Sequence, residues 1–142
     1  MSVAPRTDSD DKEEWFSYST GFYFRFGQPE IMILGLDSDI GIRVLNEIGE
    51  QMKGSRRFDP GTDYSDVFAD GVKCQFRPVH ASQYEEYLCF SMWFYETKDF
   101  PAWQCFWPDE DGFYPWQEEC SQDVRQLQPL LFKSQDESRQ AR

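Results

Sequence analysis

Residues 30–53 read EIMILGLDSDIGIRVLNEIGEQMK, and two hydrophobic patterns follow each other within this stretch. The opening run, EIMILGL, is almost continuously apolar, which is typical of an interior strand covered on both faces. Asp37 or Ser38 can then cap a helix, since their side-chain oxygens accept from free N–H groups of the first turn, and Gly54 can end it. Apolar residues spaced about every four positions give this helix one buried stripe: Ile40, Val44, Leu45, Ile48 and Met52.

Two stretches alternate apolar and polar side chains, as half-buried strands do. They are residues 18–26, joined to the apolar run by a turn at Gly27-Gln28-Pro29, and residues 72–76. A further strand is predicted over residues 102–107. A second main helix is predicted to open with a capping box at Ser82 and Glu85 and to reach about Tyr95, and a short helix is predicted over residues 118–127. We expect an α+β fold, with a mostly antiparallel sheet of four or five strands and two main helices packed on one face.

The chain has 142 residues, about the length of one domain. We expect a disordered acidic leader over residues 1–14, a single α+β domain over residues 15–132 and a polar tail over residues 133–142. Both ends are charged and carry almost no large apolar side chains, which favours disorder. Aromatic residues make up 18% of the chain and would supply most of the core.

The formal net charge of −12 comes from 26 acidic and 14 basic residues. Nucleic acids and anionic membranes are bound mainly through Lys and Arg, so we expect neither as a partner. A basic protein partner stays compatible with this charge, as does mimicry of DNA by the acidic surface. No apolar run approaches the ~20 residues of a membrane span, and the first residues lack the pattern of a secretory signal. We therefore expect a cytoplasmic protein.

The sequence offers little for metal or nucleophilic chemistry. Its four cysteines, Cys74, Cys89, Cys105 and Cys120, include no CxxC pair, which favours buried thiols over metal ligands. The single histidine, His80, has no clustered partner and is interpreted as a turn residue. Phosphate-binding motifs of the GxGxxG and GxxxxGK[ST] kinds are absent from the sequence. We predict no catalytic constellation, no metal and no cofactor.

Two carboxylates remain as candidates for acid/base work. Glu30 opens the most apolar strand, where burial would raise the pKa of a carboxyl group. Asp109 lies in Pro108-Asp109-Glu110-Asp111-Gly112, which faintly resembles a calcium loop but lacks its ligand spacing and is predicted to be a turn. A hydrogen-bonded carboxylate at a strand end is the simpler interpretation of Glu30.

Aromatic side chains are densest between residues 93 and 116, and the members of this group are Trp93, Phe94, Trp103, Phe106, Trp107, Phe113, Tyr114 and Trp116. Such a group can line a pocket for a flat or apolar ligand, here near Trp107 and Trp116. It can equally form core, or a dimer contact, where Trp and Tyr are enriched.

Short motifs stand in order between about Tyr18 and Leu131: Tyr18-Ser19-Thr20-Gly21, Gly27-Gln28-Pro29-Glu30, Gly35-Leu36, Leu45-Asn46, Phe76-Arg77-Pro78-Val79, Trp93-Phe94-Tyr95, Asp99-Phe100-Pro101, Gln104, Trp107-Pro108-Asp109, Phe113, Pro115-Trp116 and Gln128-Pro129-Leu130. Together they resemble the bacterial domain-of-unknown-function 4262 family. The resemblance implies a small stand-alone bacterial cytoplasmic protein and brings no established activity. We take as candidate ligand-binding residues Tyr18, Thr20, Glu30, Trp93, Gln104, Trp107, Asp109 and Trp116.

The chain departs from the family pattern at two points. Members usually have His where Gln28 stands, which weakens any His-dependent chemistry. Members also usually have a strand-like segment before the Tyr-Thr-Gly stretch, and here it is expected to be missing. A sheet edge would then be uncovered, which favours a homodimer through that edge or through an aromatic surface. By analogy alone, short members of this kind are also compatible with a gene carried as cargo on a mobile genetic element.

Three functional hypotheses follow from the sequence. The leading one is a non-enzymatic module that binds a small molecule or a protein through an aromatic-lined pocket. The second is an enzyme that uses Glu30 or Asp109 in that pocket as a general base. The third is an acidic inhibitor or immunity-type protein that covers a basic partner.

Overall fold

The computed structural model describes residues 2–6, 16–97 and 99–133. These residues form six strands, with the bounds β1 Ser2–Arg6, β2 Phe16–Thr20, β3 Glu30–Leu34, β4 Asp63–Tyr64, β5 Cys74–Pro78 and β6 Ala102–Phe106. Five α-helices accompany them, with the bounds α1 Phe22–Phe26, α2 Ser38–Lys53, α3 Tyr84–Tyr87, α4 Cys89–Tyr95 and α5 Gln122–Leu127. Short 3₁₀ turns over Ala69–Gly71 and Ala81–Gln83 complete the regular structure.

The strands form one sheet in the order β1-β2-β3-β6-β5-β4. Only the central pair, β3 and β6, is parallel, and every other neighbouring pair is antiparallel. The predicted α+β class with a mostly antiparallel sheet is thereby confirmed. The sheet is wider than expected because β1 and the two-residue β4 extend its two edges.

The two faces of β3 explain where the helices lie. Ile31 and Ile33 point into one core cluster with the apolar stripe of α2. Met32 and Leu34 point into a second cluster, which contains Tyr84 of α3. The helices therefore pack on opposite faces of the sheet, whereas we expected both main helices on one face. Because β3 is apolar at each of these positions, either face left uncovered would expose large aliphatic side chains to water.

Helix α2 matches its predicted bounds closely, but Ile40 of the predicted buried stripe is 41% exposed. The Asp37 carboxylate accepts the N–H of Ile40 at 3.0 Å and caps the helix, and the N–H of Gly54 closes its other end. Gly41 faces β2 so closely that a Cβ atom at this position would lie 2.7 Å from Ser17 Oγ. Strand and helix backbones thus approach each other over a position without a side chain.

Residues 22–26 differ from the prediction, since they form helix α1 and do not continue β2. The alternation of Phe22, Phe24 and Phe26 indicated a strand face, yet β2 ends at Thr20 and Gly21 turns the chain with φ of 119°. The helical conformation is stabilised by acceptors that lie outside the segment, as described below. A pattern within five residues cannot reveal such partners.

The second helical region is also built differently from the prediction. His80 caps a 3₁₀ turn, because its Nδ1 accepts the N–H of Ser82 at 3.2 Å. Helices α3 and α4 then follow as two short pieces separated at Leu88. Near the end of the described chain, the Ser121 hydroxyl accepts the N–H of Val124 and starts α5. No helix among the described residues has the length and apolarity to cross a membrane.

The described residues nearest the N-terminus form a strand. Ser2–Arg6 belong to the stretch predicted to be a disordered leader, and they form the edge strand β1, paired antiparallel with β2. The edge beside β2 is therefore occupied, contrary to the expectation of an uncovered edge there. Met1 and residues 7–14 of the predicted leader and residues 134–142 of the predicted tail lie outside the described residues.

Candidate functional site

Glu30 is fully buried at the start of β3, and its carboxylate is surrounded by donors. Oε1 accepts the Ser19 hydroxyl at 2.7 Å and the N–H of Phe22 at 3.1 Å. Oε2 accepts the N–H of Gly21 at 2.9 Å and the N–H of Tyr23 at 3.1 Å. These three N–H groups belong to the first turn of α1, which has no partners for them within the helix. Glu30 thus supplies from another strand the cap that α1 lacks in its own sequence.

Tyr95 adds a further donor and links α4 to this network. Its hydroxyl donates a short hydrogen bond to Oε2 of Glu30 and accepts the N–H of Phe24 at 3.1 Å. Burial, together with the neighbouring Glu30 carboxylate, raises the pKa of Tyr95 well above its ordinary value, so the phenol stays protonated and can donate. Both oxygens of Glu30 are occupied by these donors. The carboxylate therefore stabilises the fold, and its surroundings do not resemble those of a general base that must receive a substrate proton.

Helices α1 and α4 together display aromatic rings to solvent. Four of these exposed rings define what we call the aromatic face: Tyr23 at 41% exposure, Phe24 at 77%, Trp93 at 73% and Phe94 at 44%. The Phe24 and Phe94 rings meet edge to face with centroids 6.3 Å apart. Phe94 also packs against Tyr95 at 4.9 Å, and Tyr23 packs against Tyr95 at 5.9 Å. Tyr95 therefore connects this surface to the buried Glu30 network.

Three candidate residues lie inside the sheet. Tyr18 is buried in the second core cluster. The hydroxyl of Thr20 lies 2.6 Å from the Ser91 hydroxyl of α4, and both side chains are buried. Gln104 is also fully buried, where its amide donates to the Pro129 carbonyl at 2.9 Å and accepts from the N–H of Leu131 at 3.1 Å. These side chains join strands to covering segments and do not face solvent.

Trp107 is anchored by its own hydrogen bonds. Its indole N–H donates to the Leu34 carbonyl at 2.9 Å, and its backbone N–H and C=O pair with the Gln128 amide at 3.0 and 2.8 Å. Gly35, with φ of +84°, leaves room for this arrangement, because a Cβ there would lie 3.0 Å from the Trp107 ring and 2.8 Å from Leu127 Cβ. Trp107 therefore fastens the end of the sheet to the segment after α5.

Trp116 belongs to a different group of side chains. It stacks on Tyr114 with centroids 4.8 Å apart and meets Phe106 edge to face at 5.0 Å. The guanidinium of Arg77 lies 4.4 Å above its ring. Phe106 and Trp107 are neighbours on and just beyond β6, so their side chains point to opposite faces of the sheet. Trp107 and Trp116 consequently do not line one common pocket.

Asp109 organises the turn in which it was predicted to lie. One of its oxygens accepts the N–H groups of Asp111 and Phe113 at 3.0 and 2.9 Å, and the other accepts that of Ser121 at 2.9 Å. These bonds, that from Phe113 foremost, lower the pKa of Asp109. Asp109 follows the end of β6, whereas Glu30 pairs with Ala102 at its beginning, so the two carboxylates lie far apart.

An open depression of about 320 Å³ lies beside this turn. It is lined by Asp109, Glu110, Asp111, Ser121, Asp123 and Val124. Within the described ranges, no group of three or more His, Cys, Asp or Glu side chains has an arrangement that could hold a metal ion. Gln28, which stands where the family usually has His, is buried and donates to the Arg56 carbonyl at 2.7 Å.

Sequence reasoning found only part of the aromatic face. Trp93 is a candidate residue, but the sequence predicts a strand for Tyr23 and Phe24, and Phe94 belongs to an aromatic group for which pocket, core and dimer contact are all open. A usable signal was present in Gly21 and Gly27, which flank five residues, four of them aromatic, and both adopt left-handed conformations at the ends of α1. Two such glycines so close together are more typical of a helical turn than of a strand.

A family model described as a domain of unknown function (DUF4262) matches residues 1–121 of the chain. The match begins ahead of Tyr18, the first residue of the motifs that carry the resemblance, and so includes β1. No curated protein matches the chain. No solved structure matches it either.

Proposed function

Because the chain belongs to the DUF4262 family, a domain of unknown function, we propose a function from its own geometry: a non-enzymatic module that binds a protein partner on the aromatic face. The observation that carries this proposal is the exposure of Phe24 and Trp93, at 77% and 73%. Single apolar residues are common on protein surfaces, but several exposed aromatic rings on two helices in contact are typical of a binding site.

The size of the aromatic face supports binding of moderate strength. Weighting rings of about 200 Å² each by their exposed fractions gives roughly 500 Å² of aromatic surface. Covering it would contribute on the order of 10 kcal/mol from apolar burial, at about 25 cal/mol per Å². Association costs of about 4–15 kcal/mol offset most of that gain. We therefore expect dissociation constants between the millimolar and the micromolar range for a partner that covers this surface alone.

The Glu30 network supports the proposal because of what it holds in place. A buried carboxylate is costly unless donors surround it, and here the donors come mainly from α1. The arrangement fixes a five-residue helix that would not be stable by itself. The helix holds Tyr23 and Phe24 exposed to solvent next to α4. Such preorganisation lowers the entropic cost of binding a partner.

The alternatives have less support. A general base at Glu30 would have to give up hydrogen bonds that stabilise α1, and Asp109 is occupied by three backbone N–H groups of its own turn. A homodimer through the aromatic face is the second arrangement that this surface permits. A homodimer through β1 is disfavoured because Pro5 interrupts the row of N–H donors on that edge strand.

We place this activity in the bacterial cytoplasm. Support comes from Cys74, Cys105 and Cys120, which are buried free thiols, as expected in a reducing compartment. Burial foremost, with the Cys74 thiol as a neighbour, raises the pKa of the Cys105 thiol, which disfavours the reactive thiolate.

Selection from a random peptide library tests the proposed function. The wild-type protein serves as bait, and clones that also bind a double variant, Phe24→Ser with Trp93→Ser, are removed first. We expect clones whose binding is lost in the double variant and kept in Ile40→Ser, a control at a residue of α2 that is 41% exposed. The proposal is refuted if the double variant is folded by circular dichroism and no selected clone depends on Phe24 or Trp93.

A further inference from the structure

We infer that the occupant of the aromatic face is a short peptide segment of a partner in which Lys or Arg flanks an apolar anchor. This inference rests on the proposed function and adds the chemistry of the partner. Three observations carry it: the area of the surface, the charges at its border and the net charge of the chain.

The area favours a short segment over a second folded copy. The aromatic face offers roughly 500 Å², whereas stable complexes of two folded proteins bury about 800 Å² on each partner. A peptide of six to ten residues with one or two large apolar side chains covers a surface of the smaller size. Phe24 meets Phe94 edge to face, with centroids 6.3 Å apart, and is still 77% exposed, so most of its ring is open to such an anchor.

Two exposed acidic side chains follow the last turn of α4. Glu96 and Asp99 are exposed there, and the last turn of α4 contains no basic residue. The carbonyl ends of a helix carry a partial negative charge as well, and aromatic ring faces attract cations. Arg25 on α1 is the exposed basic residue next to Phe24, and Lys98 lies outside the described residues. A Lys or Arg beside the apolar anchor of a partner can pair with Glu96 or Asp99.

The net charge of the chain adds a long-range electrostatic attraction that also favours a basic partner. At a net charge of −12, a basic segment is attracted, while a second copy of the chain and an anionic lipid surface are repelled. Among exposed charges this attraction acts over a Debye length of about 10 Å at 0.1 M salt. Peptide affinity should therefore fall as salt concentration rises.

Three synthetic peptides of equal length test the inference with the wild-type protein. One peptide combines lysine and leucine, the second combines glutamate and leucine in the same pattern, and the third combines lysine and serine. Each carries a fluorescent label, and binding is followed by fluorescence anisotropy at about 50 and 300 mM salt. We expect the lysine–leucine peptide to bind at least tenfold more tightly than either of the others, and several-fold more tightly at the lower salt concentration.

Variants separate the border charges from the rings. Combining Glu96→Gln with Asp99→Asn should weaken the lysine–leucine peptide about three- to tenfold and leave the glutamate–leucine peptide unchanged or tighter. Phe24→Ser and Trp93→Ser should each weaken the lysine–leucine peptide tenfold or more. Val72→Ser, at a site 42% exposed and remote from α1 and α4, is the matched control and should change nothing.

Each outcome bears on one of the two proposals. If the glutamate–leucine peptide binds as tightly as the lysine–leucine peptide and still depends on Phe24, the proposed function stands and the basic partner is refuted. If Phe24→Ser and Trp93→Ser each bind the lysine–leucine peptide as tightly as the wild-type protein does, both proposals fail. If light scattering shows that the wild-type protein is a dimer and Trp93→Ser a monomer, the aromatic face binds a second copy of the chain. The inference of a peptide segment as its occupant would then be refuted.

Discussion

Replacing Glu30 by Gln tests the structural basis of the aromatic face, because it removes the charge and one acceptor while leaving the shape of the side chain. The carboxylate accepts two donors at Oε1 and three at Oε2. A glutamine has one acceptor oxygen, so in its better orientation the amide keeps the three donors and turns its NH₂ group toward Ser19 and Phe22. The Ser19 hydroxyl can rotate and accept from that group, but the N–H of Phe22 cannot.

The magnitude follows from these contacts. An unsatisfied buried donor costs about 1–3 kcal/mol, and hydrogen bonds to a charged group are worth about 1.5–3 kcal/mol each, more than those to a neutral amide. We therefore expect Glu30→Gln to lower the free energy of unfolding by about 3–5 kcal/mol, which is a large part of the total for a domain of this size. Because α1 loses part of its cap, the acceptor for the N–H of Phe22, the same variant should weaken binding at Phe24.

Urea denaturation followed by circular dichroism measures this change through the midpoint and the m-value. Glu50→Gln, at an exposed position on α2, is the matched control and should change the unfolding free energy by less than about 0.5 kcal/mol. A loss below about 1 kcal/mol in Glu30→Gln, with an unchanged m-value, would refute the view that this carboxylate organises α1.

Three further changes have defined outcomes. Tyr95→Phe removes the hydroxyl that links Glu30 to α1 and should lower the free energy of unfolding by about 1–2 kcal/mol. Its effect should not add to that of Glu30→Gln, and strict additivity in the double-mutant cycle would contradict the link. Gly41→Ala places a Cβ 2.7 Å from Ser17 Oγ and should destabilise the protein by about 1 kcal/mol, since overpacking of about 1–3 kcal/mol exceeds the helix-propensity gain; a higher thermal midpoint would contradict this. Asp109→Asn should lower the thermal midpoint at pH 7. Because the pKa of Asp109 is lowered in the folded state, the greater stability of the wild-type protein should disappear as pH falls below about 4. A difference in midpoint that does not change with pH would contradict this assignment.

The sequence was most informative where the pattern is local and long. The apolar run of β3 and the stripe of α2 were predicted within two residues of their bounds, because both the period and the Asp37 cap lie within the segment. The α+β class followed from these elements and from the order of the others. The order of the strands, with parallel β3 and β6 in the centre, depends on pairings between distant segments that periodicity does not reveal.

The candidate site could be predicted only in part, for a related reason. Glu30 was correctly singled out as unusual, and the simpler interpretation of a hydrogen-bonded carboxylate agrees with its surroundings. That its donors belong to α1 and Tyr95 could not be predicted, because these contacts join residues far apart in the chain. Trp107 and Trp116 were grouped by their closeness in sequence, whereas side chains on neighbouring positions of an extended segment face opposite sides of a sheet.

The most direct test of the binding surface is a two-dimensional ¹⁵N–¹H spectrum of the wild-type protein titrated with the lysine–leucine peptide. The chain has five tryptophans, and each gives a separate indole N–H signal. The aromatic face as binding surface predicts that the Trp93 signal shifts, together with the backbone amides of Tyr23, Phe24 and Phe94. Shifts confined to the Trp107 and Trp116 signals, with Trp93 unchanged, would contradict it.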